Sequence, residues 1–191
     1  MALVATVAVI AAGGWLMQAH DARDAAPQAE RPARIDPAVD ADGHAAQRRA
    51  AEVELRFKQA VVMLHARQHE HALTALHRVL ELAPQMPEAH VNMGFALMGL
   101  GRAAAARDFF EGALALNAEQ ANAYYGLAIA NEALGDLEAA AGAMRTYLHR
   151  DKNGGDAAHR RRAESALWEW DERLRQSRLG PGPRADAAPP R

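Results

Sequence analysis

A period of 34 residues is the feature of this sequence that most constrains its fold. The residues from 53 to 151 can be written as three lines that begin at Val53, Pro87 and Ala121. One column then holds only alanine, a second holds small residues, and two hold large apolar residues. In that order they are Ala72, Ala106 and Ala140, then Ala60, Gly94 and Ala128, then Leu76, Phe110 and Met144, then Leu80, Leu114 and Leu148. Several independent columns with one period indicate a tandem structural repeat.

Each line predicts two antiparallel helices joined by a short turn. Small residues in both helices let the pair pack closely, and the large residue four places after the column alanine lies on the same helix face. Gly101 and Gly135 share a column in the turn, and Arg67 takes that place in the first line. Because one hairpin cannot bury its apolar face alone, we expect neighbouring hairpins to stack into an all-α solenoid. Repeats are expected over 53–86, 87–120 and 121–151.

These columns resemble the tetratricopeptide repeat (TPR). The small residues match best, as in Met93–Gly94 followed by Ala106 and Phe110, and Pro84 stands where the family has a proline near the end of a repeat. The resemblance covers residues 53–151. It implies a right-handed solenoid of helical hairpins and a non-enzymatic role in binding a protein or peptide partner.

The resemblance also implies that the first helices of the repeats line a concave groove for that partner. The positions that face into the groove in this family are, in this chain, Phe57, Val61, Leu64, Val91, Asn92, Phe95, Met98, Asn122, Tyr125, Ile129 and Glu132. Most are apolar, and the side-chain amides could orient a bound backbone. Family members that clamp a terminal carboxylate use lysines and asparagines. Here Phe57 and Val61 stand where that clamp would begin, and only Asn92 matches it. The alternative is that the tether or terminal helix of the chain covers these residues.

The segments around the repeats have distinct compositions. Residues 157–178 carry an apolar stripe at helical spacing, formed by Ala163, Ala166, Leu167, Trp170 and Leu174, which predicts a terminal helix that covers the third repeat. Trp168 and Trp170 are both expected to pack. The helical region as a whole is expected over 44–178, and the Pro/Gly-rich tail 179–191 is expected to be disordered.

The N-terminal residues 1–20 predict a single transmembrane helix. No charge occurs from Ala2 to Ala19, and eighteen helical residues span roughly 27 Å, close to the ~30 Å apolar core of a bilayer. A cleaved signal peptide and a buried helix are the alternatives. Residues 21–43, with three prolines and many charges, predict a flexible linker.

The side of the membrane on which the repeats lie is open from the sequence. Arg23, Arg31 and Arg34 follow the span, which favours the cytoplasm. A single span followed by repeats resembles bacterial proteins that assist assembly of envelope complexes, including cytochrome c maturation. That layout favours the inner membrane with a periplasmic solenoid.

A histidine cluster suggests the main alternative function, a metal-dependent enzyme. Four of the nine histidines lie between His65 and His77. His65 and His69 have helical spacing, but the predicted turn over about 66–68 separates them. No His-Glu-x-x-His motif occurs, since Leu73 takes the place of the second histidine.

Composition limits the remaining classes of function. The chain has no cysteine and a formal net charge of −2, so it offers neither thiolate chemistry nor a bulk positive field for nucleic acid. We therefore predict a binding scaffold without cofactor or metal, with the metal enzyme and a self-associating scaffold as alternatives.

Overall fold

The computed structural model describes residues 37–151 and 157–179, and the regular structure in these ranges is entirely helical. The helices are α1 (Pro37–His65), α2 (His69–Leu82), α3 (Pro87–Gly99), α4 (Ala103–Leu116), α5 (Ala121–Ala133), α6 (Leu137–Arg150) and α7 (Ala157–Leu179). The chain divides into two compact units, residues 1–42 and 43–191. Only residues 37–42 of the first unit are described, and they form the start of α1. The rest of α1, from Gly43 onward, and α2 to α7 belong to the second unit.

The turn inside each hairpin has the same backbone geometry. Arg67, Gly101 and Gly135 have φ angles of 58°, 71° and 84°, the left-handed region that ends many helices. At Gly101, its own N–H donates to the Met98 carbonyl at 3.0 Å, and the next N–H donates to the Leu97 carbonyl at 2.9 Å. The same pair of bonds occurs around Arg67 and Gly135. The alignment of Arg67 with the two glycines is therefore confirmed.

The columns of small residues lie where helices approach most closely. Ala60, Ala72, Ala106, Ala128 and Ala140 are all fully buried. Gly94 completes the set of small residues, since a Cβ at this position would lie 2.6 Å from Cε1 of Phe110.

Phe110 is the side chain around which the second and third hairpins pack. Its ring is fully buried and lies between Gly94 on α3 and Gly126 on α5, where a Cβ would come within 2.2 Å of the ring. Phe95 contacts it edge to face, with 5.1 Å between ring centroids. The apolar column that contains Phe110 is thus part of the core, and Gly126 is as important to it as Gly94.

The terminal helix α7 covers the third hairpin as predicted. It runs antiparallel to α6, because Arg178 bonds Glu138 at 2.9 Å near one end and Arg160 donates to the Asp151 carbonyl at 3.4 Å near the other. Trp170 is buried in a cluster with the apolar residues of α6. The expectation that Trp168 also packs is wrong, since its side chain is 69% exposed.

The predicted linker requires one correction at its end. Residues 37–43 lie within α1, because Pro37 is favourable in the first turn of a helix and the alanine-rich sequence after Gly43 continues it. The remainder of the linker, the tail after Leu179 and the predicted membrane span over 1–20 lie outside the described residues. Among the helices that are described, none is long and apolar enough to cross a membrane.

Candidate functional site

The first helices of the hairpins, α1, α3 and α5, carry the residues predicted to bind a partner. We call the surface formed by these residues the first-helix face. Phe57 and Leu64 from α1 and Phe95 and Met98 from α3 are partly buried and pack on one core cluster. Val61 and Ile129 are also partly buried. The structure therefore gives α1 and α3 apolar side chains that pack on the core but remain accessible. Val61 and Ile129 add further partly exposed apolar surface.

Val91 is the exception among the predicted residues. It is only 3% exposed and belongs to the core cluster, because its short side chain ends among neighbouring core residues. At the equivalent place in the other hairpins, the larger Phe57 and Tyr125 remain partly accessible. Val91 thus supports the first-helix face from below and is not available to a partner.

Two asparagines provide the polar groups of the first-helix face. Asn122, at the second position of α5, is exposed, and Asn92 in α3 is partly exposed. Each side-chain amide offers both a donor and an acceptor. These amides are suited to the N–H and C=O groups of an extended backbone.

The helix α7 engages the end of the first-helix face at the third repeat. Nε1 of Trp170 donates a 2.7 Å hydrogen bond to Oε1 of Glu132. The ring of Tyr125 packs on His159, with 4.7 Å between centroids, and on Tyr147 at 5.3 Å. The alternative that the chain covers its own groove is therefore correct for this end. Glu132 and Tyr125 hold α7 in place, and the open part of the face lies over the first two repeats and Ile129.

Tyr147, the buried member of this aromatic cluster, also makes a polar contact. The hydroxyl of Tyr147 donates to Oδ2 of Asp151 at 3.3 Å. Burial raises the pKa of Tyr147, and the negative charge of Asp151 raises it further. The phenol is thus held in its neutral form as a hydrogen-bond donor.

Sequence reasoning missed this contact of α7, although one signal for it exists. His159 follows Tyr125 by one period of 34 residues, so extending the columns beyond residue 151 places His159 beside the first-helix face. The bond between Trp170 and Glu132 has no such signal, because α7, with 23 residues, is longer than α3 and α5, with 13 each. Trp170 therefore lies beyond the part of α7 that aligns with them.

The charges beside Phe57 on α1 do not favour a terminal carboxylate. Lys58 bonds Oε1 of Glu54 at 2.5 Å on its own helix. Phe57 and Val61 occupy the places where the carboxylate-binding members begin their clamp, and both are apolar. The first-helix face is therefore matched to apolar side chains rather than to an anionic chain end.

The histidine cluster does not form a ligand set. α1 ends at His65 and α2 begins at His69, so the predicted turn separates them. A Cβ on Gly99 would lie 2.3 Å from the His69 ring, so this imidazole packs between the first two hairpins. Within 37–151 and 157–179, no group of three or more metal-ligating side chains comes together.

The other side of the cluster is lined by basic side chains. His71 lines an open cavity of about 340 Å³ together with Arg56 and Arg78. Glu52 and Glu81 lie nearby, but both carboxylates are bonded to Arg78, and these bonds raise the pKa of Arg78. The carboxylates that could help His71 to hold a metal are thus already paired with a guanidinium.

Comparison with known proteins identifies the class of fold. The family model described as tetratricopeptide repeat matches residues 63–111. No curated protein matches the sequence. Similar solved structures include the Sgt2 TPR domain from Aspergillus fumigatus, with 19% identity and a TM-score of 0.65 over 73% of this chain and 90% of that one.

Two further structures have the same fold. The TPR2B domain of yeast Sti1, in complex with pHsp70, is 18% identical with a TM-score of 0.59, over 64% of this chain and 98% of that one. The translocator chaperone SycD of Yersinia enterocolitica type III secretion is 13% identical with a TM-score of 0.61, over 65% of this chain and 86% of that one. The described helices therefore have the fold of a tetratricopeptide-repeat domain: three helical hairpins and a terminal helix.

Proposed function

We propose that this protein is a non-enzymatic scaffold that binds a segment of a protein partner on its first-helix face. The observation that carries the proposal is the set of accessible apolar side chains contributed by three successive first helices: Phe57, Val61, Leu64, Phe95, Met98 and Ile129. Four of them, Phe57, Leu64, Phe95 and Met98, pack on the core, so they are held in place before binding, which lowers the entropy cost of association.

The chemistry of the first-helix face defines the segment that fits it. Apolar side chains at alternate or helical spacing would fill the spaces between Phe57, Phe95 and Ile129. The amides of Asn92 and Asn122 would bond the backbone of the segment and fix its direction. Because α7 covers Tyr125 and Glu132, the segment lies mainly on the first two repeats. A free carboxyl terminus is not required.

The similar structures support binding as the general role. The matching family and the similar structures are not described as enzymes, and the yeast Sti1 domain is solved as a complex with pHsp70. Because that complex is formed by a domain of the same fold, it favours a protein or peptide partner for this chain as well.

The sequence of residues 1–20 supports a further part of the proposal, tethering to a membrane. A single span at this position would hold the repeats near the bilayer and raise their local concentration for a partner in the same membrane. We propose the bacterial inner membrane, with the repeats on the periplasmic side and assembly of an envelope complex as the process. Labelling of a single introduced cysteine by an impermeant reagent in intact spheroplasts tests the side, because the chain has no cysteine of its own.

Photocrosslinking in the host cell tests the binding role. A photoreactive residue in place of Phe95 is expected to capture a defined partner. The same residue in place of Leu116, which is 41% exposed on α4, is the matched control and should capture none. Capture from Leu116 or from Trp168 alone would place the partner elsewhere and refute the proposal.

A further inference from the structure

The outer side of α1 leaves two large apolar side chains uncovered. Leu55 and Val62 are 56% and 67% exposed and lie seven residues apart on one side of the helix. The equivalent positions one and two periods later are Ala89, Ala96, Ala123 and Ala130, and all four are fully buried. At these positions α3 packs against α2, and α5 packs against α4. Leu55 and Val62 are instead exposed, so this side of α1 is accessible.

The charged residues just before Leu55 are acidic, and those just after it are basic. In the sequence EVELRFK, Glu52 and Glu54 stand three and one residues before Leu55, and Arg56 and Lys58 stand one and three residues after it. Each residue advances about 100° around a helix, so Glu52 and Arg56 flank Leu55 on one side, and Glu54 and Lys58 flank it on the other. A two-fold axis at Leu55 places each flank next to the same flank of the other copy. An antiparallel copy of the helix therefore brings Glu52 beside Arg56 and Glu54 beside Lys58, each pair twice. A parallel copy would instead place each charged residue beside its own equivalent. The charges are therefore complementary about Leu55 only when the two helices are antiparallel.

We propose that this side of α1 binds a second copy of the chain, with the two α1 helices antiparallel about a two-fold axis at Leu55. Each helix then presents the same patch to the other, as a two-fold interface requires. The incoming helix has the antiparallel direction that α2 has against α3. Val62 lies opposite Arg48 of the other copy, whose aliphatic stem can cover it.

The contacts within one copy are compatible with this pairing. Glu52 accepts from Nε of Arg78 at 2.8 Å, and Arg78 also bonds Glu81 at 3.0 Å. Arg56 of the other copy would therefore be a second cation beside Glu52, a carboxylate whose pKa Arg78 already lowers. Exposed ion pairs contribute little affinity. The pairs set the register, and burial of Leu55 and Val62 supplies the attraction.

The pairing would leave the proposed binding surface free. Phe57, Val61 and Leu64 lie on the opposite side of α1 from Leu55, since each residue advances about 100° around a helix. A two-fold pair of chains thus exposes two first-helix faces. Such a pair would bind a partner that carries two copies of the recognised segment more tightly than one chain does.

Crosslinking through a single cysteine tests this arrangement on the full chain, which has no cysteine of its own. Leu55→Cys places the two sulfurs at the axis and should give a disulfide-linked dimer under mild oxidation. Val62→Cys is the matched control on the same helix and is more exposed. The two copies of residue 62 would be fourteen residues apart along the axis, roughly 21 Å, beyond the ~7 Å that a disulfide allows between Cα atoms.

Charge variants in the Leu55→Cys chain test the register. Lys58→Glu places like charges beside Glu54 of the other copy and should reduce the crosslinked fraction. Adding Glu54→Lys restores opposite charges and should restore the dimer. Because these side chains are exposed, helical content by circular dichroism should not change. Absence of the Leu55→Cys dimer, equal crosslinking through Val62→Cys, or failure of the second swap to rescue the first would each overturn the proposed interface.

Discussion

The contact between Phe110 and two glycines gives the sharpest prediction about stability. The ring is fully buried, with Gly94 on one side and Gly126 on the other. A Cβ would lie 2.6 Å from the ring at Gly94 and 2.2 Å from it at Gly126. Both distances are below the contact distance of two carbon atoms, about 3.5 Å. The ring cannot move away from one methyl group without moving toward the other helix.

The expected sign follows from two opposing effects. Alanine stabilises a helix interior by roughly 1 kcal/mol relative to glycine. Overpacking a core costs about 1–3 kcal/mol, and the closer approach at Gly126 places it at the upper end. We therefore expect Gly126→Ala to lower the free energy of unfolding by about 1–2 kcal/mol, and Gly94→Ala to lower it by less.

A matched control and a double-mutant cycle separate these effects. Gly142 lies within α6 and is exposed, and no atom lies within 4 Å of a Cβ placed there, so Gly142→Ala should stabilise by about 0.5–1 kcal/mol. Phe110→Ala alone should cost about 3–5 kcal/mol. With the ring removed, Gly126→Ala should become neutral or stabilising, which gives a coupling energy of about 2 kcal/mol between the two sites.

Urea unfolding followed by circular dichroism measures the four single variants and the Gly126→Ala/Phe110→Ala double variant. The reasoning is refuted if Gly126→Ala stabilises the wild-type background as much as Gly142→Ala does. The reasoning is equally refuted if Gly126→Ala changes the free energy of unfolding by the same amount with and without Phe110. The Phe110 ring would then not be the cause of the destabilisation.

Three further predictions concern the turns, the terminal helix and Tyr147 of α6. Arg67→Gly should raise the free energy of unfolding by up to about 1 kcal/mol, because a non-glycine residue at φ 58° is strained, whereas Gly101→Ala should lower it; urea unfolding measures both. Trp170→Phe should cost about 1–2 kcal/mol, because Glu132 loses its donor, and Glu132→Gln, which keeps an acceptor, should cost less; equal losses in thermal unfolding would contradict the role of the bond. Burial raises the pKa of Tyr147 above its ordinary value of 10.0, so its contribution to stability is present below pH 10 and is lost as the pH rises through the higher folded-state value. Tyr147→Phe should therefore make the stability of the chain less sensitive to alkaline pH, and an unchanged pH profile would show that Tyr147 titrates as it does in the unfolded chain.

The parts of the fold that repeat could be read from the sequence. Ala72, Ala106 and Ala140 occupy the same environment three times, so a shared column reports a shared contact. The alignment even identified Arg67 as a turn residue, because Gly101 and Gly135 revealed what the backbone requires there. The stripe on α7 was recognisable for a related reason, since Ala163 and Trp170 face a single surface.

The parts that occur once could not be read in this way. Val91 has the sequence position of a surface residue, but its exposure depends on the length of its side chain relative to its neighbours. Trp168 and Trp170 differ by two residues and by nearly 70% in exposed fraction, because only one of them faces the third hairpin. The contact between Gly126 and Phe110 depends on how closely α5 approaches α4, and the pattern of residues along one helix does not reveal that distance.

The central claim is that one partner segment lies across all three first helices, and capture from Ile129 tests it most directly. A photoreactive residue at Ile129 is combined with Phe57→Glu, which changes the far end of the first-helix face and does not contact Ile129. The account predicts that the photoreactive Ile129 variant captures the same partner as the Phe95 variant, and that Phe57→Glu sharply reduces the captured fraction. An unchanged fraction, with the chain still folded, would contradict binding along this face.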